Sequence, residues 1–346
     1  MNTLTYWLAR ALVTLIAAFP LTWVAWVGRR IGVLVFLLDG RHRRVALHNL
    51  TMCFGHEKTP VEIRNIAREN FRRLAENYAC TVKTYMMSWE QLQSRIELVG
   101  MERVLPREAG PKAQSRILAL GHFGLFELCS HFTHFVPSFK LASTYRALRQ
   151  PGLNRLMVEL RNRSGCHFYE RRTGGAELLA MMTKTGSMLG LLADQHAGNK
   201  GLRLPFLGHD CSTSTAPAIF ALRYRCPLHV AVCYRTGLGR WRIESSAEIV
   251  TTINGRRRPV EDITREVNQA FEAAVRRDPA NWFWVHKRWK PAELKALESD
   301  GAPASSVAAG VPPAVEPGLS AKTSATADVP PGGTNAPDQP PREPRV

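Results

Sequence analysis

The chain contains no Cys-x-x-Cys pair and no His-Glu-x-x-His, and its seven cysteines (Cys53, Cys80, Cys129, Cys166, Cys211, Cys226 and Cys233) are scattered and odd in number. These absences argue against a zinc ribbon or a disulfide framework and for structural thiols in a reducing compartment. Acidic residues are scarce: 29 Asp and Glu face 46 Lys and Arg, a formal net charge of +17. Such a surplus favours polyanionic partners (nucleic acid, an anionic membrane surface or an acidic protein) without choosing among them. No internal repeat is present.

Two segments are defined by what they lack. Residues 11–28 carry no charge, and as a helix they would extend about 27 Å, just enough for a bilayer core. Trp23 and Trp26 sit near one end, where interfacial aromatics belong, and Pro20 would kink the helix. Arg29 and Arg30 follow, then an apolar stretch at 31–38 and Arg41, Arg43 and Arg44, whereas Arg10 alone precedes. The positive-inside rule then keeps the C-terminal bulk cytoplasmic. Residues 1–40 are therefore expected to be a membrane anchor, with a buried core helix or an in-plane interfacial helix as alternatives to a full span. A cleaved signal peptide fits less well, because no small-x-small site precedes the arginines. The second segment, 299–346, has no aromatic residue, and residues 301–346 hold ten of the 22 prolines. It is expected to be a disordered tail that cannot bury a core.

Between them, residues 41–298 read as one catalytic domain. Thr59-Pro60-Val61-Glu62 offers an N-cap, a proline at the first helical position and a capping-box glutamate, and Ile63, Ile66, Ala67, Phe71, Leu74 and Tyr78 recur at helical spacing. From about residue 95, apolar runs at 117–120, 140–145, 188–193 and 228–234 alternate with helical candidates near 124–136, 152–164, 174–185, 215–225 and 261–277. This alternation predicts an α/β fold with a mostly parallel central sheet flanked by helices.

The chemistry-bearing stretch is Gly121-His-Phe-Gly-Leu-Phe-Glu127, where a β-like run ends and a helix is expected to begin. On one continuous helix, positions five apart lie about 140° apart and would not meet. With His122 on the strand-to-helix turn and Glu127 in the first helical turn, the two can converge at the carboxyl edge of the sheet, where open α/β folds bind ligands. A carboxylate would then orient the imidazole, which takes a proton from an attacking hydroxyl.

This motif resembles the His-x4-Asp/Glu signature of the lysophospholipid acyltransferase superfamily, and more narrowly the bacterial lipid A late acyltransferases, the lauroyl and myristoyl transferases. Other stretches resemble that family in the same order: Arg43 to Leu50, Tyr145-Arg146 with Pro151 and Asn154, Arg163-x-Gly165 before Arg171, Asp194-Gln195 leading to Pro205-Phe206-x-Gly208, and Trp282-x-Trp284-x-His286-Lys-Arg288-Trp289-Lys290. The likeness covers roughly residues 5–292. Leu125-Phe126 stands where the family often has Asn-Trp, Arg149-Gln150-Pro151 replaces a segment that usually contains Asn, and Lys287 stands where an arginine is common.

The resemblance implies transfer of a fatty acyl group from an acyl carrier protein thioester to a hydroxyl of a lipid A precursor, at the cytoplasmic face of the inner membrane. His122 would be the general base and Glu127 its partner. Arg146 or Arg171 would bind a phosphate or steady the oxyanion, and Asp194 and Gln195 would join the substrate site, a helix-capping role being open for Asp194. His286, Arg288 and Lys290 would shape the substrate or membrane face. The arginines at 146, 149, 155, 161, 163, 171 and 172 suit acidic carrier protein and phosphorylated acceptor, and Arg256-Arg257-Arg258 suits anionic lipid. Neither metal nor nucleotide is expected, because a thioester already carries an activated acyl group.

Three rivals stand beside this reading. The same chemistry could act on another glycolipid or lysophospholipid. Glu127, His131 and His134, spaced i, i+4, i+7, could share a helix face as metallohydrolase ligands, with Asp194 and His196 in support. A nucleic-acid-binding protein would explain the charge, but it leaves the apolar N-terminal run unexplained and shows no recognised motif.

Overall fold

Pro20 divides the uncharged run, because a proline has no amide hydrogen to continue the helical ladder. In the computed structural model, which describes residues 2–105, 114–184 and 186–290, the chain forms α1 (Asn2–Ala18) and then α2 (Leu21–Leu38) instead of one kinked helix over 11–28. α2 runs on through Arg29 and Arg30, and by length and composition it could cross a membrane. The proposed tail at 299–346 lies outside the described residues.

α3 (Gly40–Phe54) leads into the long α4 (Pro60–Met86). The expected capping box is formed: the Glu62 amide donates to the Thr59 hydroxyl at 3.3 Å, and the Thr59 amide donates to the Glu62 carboxylate at 2.8 Å. α2 lies along α4 with Leu21, Val24, Ala25, Gly28, Gly32 and Phe36 buried. The two glycines bring the backbones together: a Cβ on Gly28 would sit 2.9 Å from the Glu76 Cα, and one on Gly32 would collide with the Phe71 carbonyl oxygen. At the same contact the Glu76 carboxylate is wholly buried between Arg29 (3.2 Å) and Arg235 (2.7 Å), while Arg29 also reaches Glu69 at 3.0 Å.

Two short helices, α5 (Trp89–Gln93) and α6 (Met101–Val104), bracket β1 (Ile96–Val99). Strands and helices then alternate. β2 (Arg116–Leu120) is followed by a 3-10 helix (Phe126–His134), β3 (Lys140–Tyr145), α7 (Pro151–Asn162), β4 (His167–Glu170), α8 (Gly175–Met182) and β5 (Ser187–Leu192). A hairpin of β6 (Leu202–Phe206) and β7 (His209–Thr213) precedes α9 (Ala216–Tyr224), β8 (Leu228–Gly237) and β9 (Arg240–Ser245). A second small hairpin, β10 (Thr252–Ile253) and β11 (Arg256–Arg257), leads to α10 (Val260–Arg277).

The main sheet has seven strands in the order β1-β9-β8-β2-β5-β3-β4. β8, β2, β5, β3 and β4 are parallel, β9 reverses against β8, and β1 pairs parallel with β9. The α/β class and the mostly parallel sheet expected from the sequence are present. β2 is buried along its whole length and β5 nearly so, as central strands covered on both faces must be. All seven cysteines are buried and free.

One expected element differs in kind: the segment read as an α-helix near 124–136 is a 3-10 helix. Its entry is pinned by Gly124, whose φ of +50° suits glycine. The Gly124 amide donates to the Asn281 carbonyl at 2.9 Å, and a Cβ there would approach the Cys233 carbonyl oxygen to 2.6 Å.

Candidate functional site

β2 and β5 are neighbours, and their register pairs Leu120 with Leu192. Two residues beyond that pair on each strand lie His122 and Asp194, at the carboxyl edge of the sheet. They meet there: the His122 amide donates to Asp194 Oδ2 at 2.8 Å, and His122 Nδ1 lies 2.7 Å from Asp194 Oδ1. The Trp282 indole donates to Asp194 Oδ2 at 2.8 Å. Burial pushes the Asp194 pKa up, but the adjacent imidazole and the hydrogen bonds from His122 and Trp282 outweigh it and hold the carboxyl below its usual range. An ionised carboxylate only accepts hydrogen bonds, so Nδ1 bears a proton toward Asp194, and a neutral ring then has its lone pair at Nε2. Nε2 has no partner among the described residues. The ring is 18% exposed and lies between Phe126 and Phe283, with centroids 4.8 and 5.7 Å away.

Glu127 is not His122's partner in this arrangement. Its carboxylate pairs with Arg161 of α7 and accepts from the Tyr85 hydroxyl of α4 at 2.7 Å. Tyr85 also bonds Ser130 at 3.1 Å, and its phenol is held well above its usual pKa first by burial and then by the Glu127 charge. It therefore remains a donor. Arg161 stacks over Phe168 at 5.1 Å. The expectation that Glu127 orients the imidazole is corrected: the 3-10 helix carries its carboxylate to α4 and α7, while the β2–β5 register delivers Asp194 to His122. An apolar cleft adjoins Glu127 and Arg161, lined by Leu118, Cys129, Leu141, Cys166, Met188 and Leu192 among others.

Arg146 follows β3 and Arg171 follows β4, so both stand at the same carboxyl edge as His122. Both side chains are exposed, and among the described residues neither guanidinium is ion-paired. The same is true of Arg149 and Arg172, whereas Arg155 bonds Glu159 at 2.8 Å and Arg163 bonds the Tyr85 carbonyl at 2.7 Å. Gln195 contributes its carbonyl, which accepts from Arg288 at 2.7 Å. Arg288 is wholly buried and also holds Ser212 and Thr213, so it braces the loop after β5 from within and does not shape an outer face. His286 accepts the His196 amide at Nε2, 3.0 Å away, and burial pushes its pKa down to about 4, which keeps the ring neutral.

The residues of the metallohydrolase alternative do not assemble. Glu127 is committed to Arg161, His131 is buried against Tyr85 with burial pushing its pKa down to about 4, and His134 stacks on Trp89 at 4.6 Å. Among the described residues no cluster of three His, Cys, Asp or Glu could hold a metal ion.

Several contributors escaped the sequence reading. Tyr85 gave no signal beyond its place on the apolar face of α4. Trp282 stood within a noted motif, and a buried indole N–H needs an acceptor, but nothing in the sequence named Asp194. Asn70 donates to the carbonyls of Ala280 (2.9 Å) and Trp282 (2.5 Å), and Asn49 to those of Trp284 and His286 (both 2.9 Å). These two amides from α3 and α4 hold the segment that places Trp282 and Phe283 over the His122–Asp194 pair.

Against known proteins, residues 1–291 match the family described as bacterial lipid A biosynthesis acyltransferase. The chain is 21% identical over 289 residues to the lipid A biosynthesis palmitoleoyltransferase of Escherichia coli (strain K12), covering 82% of this chain and 90% of that protein. The match to the lipid A biosynthesis acyltransferase of Shigella flexneri has the same identity and coverage.

Proposed function

The chain belongs to the bacterial lipid A biosynthesis acyltransferase family, and from that premise we propose that it moves a fatty acyl chain from an acyl carrier protein thioester to a hydroxyl of a lipid A precursor, with His122 as general base. The observation that carries this reading is the His122–Asp194 pair: a buried carboxylate fixes the tautomer of an imidazole whose second nitrogen is unpartnered at the carboxyl edge of the sheet.

An acceptor hydroxyl placed at Nε2 gives up its proton as its oxygen attacks the thioester carbonyl. Asp194 steadies the imidazolium that forms and keeps the ring aligned, as a buried carboxylate does behind a catalytic histidine in unrelated transferases and hydrolases. The tetrahedral intermediate collapses with loss of the carrier thiolate, and the imidazolium returns the proton to sulfur. Glu127 acts one step removed, as a positioning residue: with Arg161 and Tyr85 it fixes the wall of the apolar cleft, which receives part of the acyl chain. Arg146 and Arg171, without an ion-pair partner among the described residues, stand at the same edge and suit acceptor phosphates. Together with Arg149 and Arg172 they form a basic rim that suits an acidic carrier protein.

The test is direct. Membranes containing the protein are incubated with acyl carrier proteins of several chain lengths, with acyl-coenzyme A as the competing donor, and with a Kdo-bearing lipid A precursor or other lipid hydroxyls as acceptors. Mass spectrometry should show one added acyl chain on the precursor, dependent on the carrier-protein donor. Acylation of other acceptors alone would overturn the acceptor assignment, and equal use of coenzyme A would overturn the donor.

A further inference from the structure

The outer faces of α1 and α2 are apolar in a way the rest of the protein is not. Of the exposed large apolar side chains among the described residues, fourteen lie on or between these two helices, including Trp7 (60% exposed), Trp23 (63%) and Leu38 (83%). Exposed apolar side chains concentrated in this way mark a protein or membrane contact. The exposed Arg30, Arg41 and Arg44 border it, and none of the three is ion-paired among the described residues. Arg30 lies over the Trp26 ring at 5.0 Å.

The inner faces are fully engaged. α2 touches α4 backbone to backbone at Gly28 and Gly32. Midway along α2, Arg29 bonds the buried Glu76, which also bonds Arg235 of the catalytic sheet. α1 is fastened to α7: the Tyr6 hydroxyl and Arg10 both donate to Glu159 at 2.9 Å, and Val13 packs in one cluster with Leu156. For α2 to cross a bilayer, it would have to leave α4 and carry Arg29 and Arg30 into hydrocarbon. The alternative is to take α4 with it, whose surface bears Arg64, Arg68 and Arg72. Both routes bury charge without water, which a bilayer core resists.

We infer that α1 and α2 do not span the membrane but lie in its plane, sinking their outer apolar face into a single anionic phospholipid leaflet while their inner faces remain part of the catalytic domain. Tryptophans and leucines on the lipid side and arginines at the headgroup level are the pattern of an in-plane interfacial helix. α1 packs on the segments of α4 and α7 that carry Tyr85 and Arg161, so the leaflet adjoins the candidate site. This inference is independent of the acyl-transfer reading.

The test uses the full chain bound to sealed vesicles of neutral and anionic phospholipid. Because all seven native cysteines are buried, an added thiol is a clean reporter. One form carries a cysteine-bearing peptide ahead of Met1, another carries Ile253→Cys on the exposed β10–β11 hairpin as a marker for the domain side. A membrane-impermeant maleimide added outside should label both to the same extent without detergent. Labelling of the N-terminal thiol only after detergent, with the hairpin labelled before it, would overturn the inference in favour of a span. A Leu34→Glu/Leu38→Glu form, altered at two exposed positions, should retain its fold by circular dichroism and lose vesicle binding by about tenfold or more. Unchanged binding of that form, or self-association of the wild type in place of vesicle binding, would also overturn it.

Discussion

Asp194 and Glu127 stand near the same catalytic loop, and the contrast between their surroundings is instructive. Glu127 is five residues from His122 in sequence yet is turned away to Arg161 and Tyr85. Asp194 is 72 residues away and is bonded to His122 through both carboxylate oxygens. One carboxylate is neutralised by a guanidinium and serves the wall of a cleft. The other accepts from the His122 amide and ring and from the Trp282 indole, with no guanidinium bonded to it among the described residues. A buried charge hydrogen-bonded to an imidazole favours the state in which that imidazole is protonated. A charge already paired with arginine gives little such discrimination. Sheet register, more than sequence proximity, decides which carboxylate meets the imidazole.

The largest expected effect is at the base itself. His122→Ala should lower acyl transfer by about 10⁴-fold with the fold intact by circular dichroism, and near-normal turnover would remove it from the reaction. Asp194→Ala follows, with a loss of about 10³-fold from misalignment of the ring. Glu127→Ala should also impair turnover, but for a different reason: it strands a mostly buried guanidinium, which costs about 3 kcal/mol of stability in a denaturant titration. The contrast sharpens if Glu127→Ala/Arg161→Met recovers part of that stability, and it breaks if the double variant is no more stable than the single one.

Much of this was legible in the sequence. The four apolar runs became β2, β3, β5 and β8, the capping box at Thr59–Glu62 formed, and His122 fell on the predicted turn at the predicted edge. Asp194 was seen at the end of its strand, but its pairing was not, because the adjacency of β2 and β5 is a property of the sheet order that no local pattern encodes. Glu127 was given the wrong neighbour for the complementary reason: spacing within a motif suggests contact, and the 3-10 geometry after Gly124 redirects the side chain. In the run at 11–28 the kink expected at Pro20 is a full break, and the helix after it continues through Arg29, an extent that the uncharged stretch alone does not show. The roles of Asn49, Asn70 and Tyr85 have no local signature because each acts on a segment far away in the chain.

Smaller effects test the support around the pair. Asn70→Ala leaves two carbonyls of the 280–282 segment without their donor and should cost about 2 kcal/mol, with a larger fractional loss of turnover than of acceptor affinity. If turnover is untouched, that clamp has no part in placing Trp282. The smallest effect is a pH dependence. His131 takes up a proton near its ordinary pKa of 6.5 when unfolded but only at about 4 when folded. As pH falls through 6.5 the unfolded chain binds that proton first, so the folded state loses about 1 kcal/mol between pH 6.5 and 5.5 from this group, after a smaller loss of about 0.4 kcal/mol on the way down to pH 6.5. His131→Phe should flatten the slope by that amount in thermal unfolding measured across the interval.

Nitrogen-15 histidine NMR of the detergent-solubilised protein distinguishes Asp194 from Glu127 as the partner of the His122 imidazole. The Nδ1-bound proton of His122, assigned by its loss in His122→Gln, should give a downfield, exchange-protected resonance in the wild type. This resonance is expected to persist in Glu127→Gln and to disappear in Asp194→Ala. Its survival in Asp194→Ala together with its loss in Glu127→Gln would put Glu127, not Asp194, behind the imidazole.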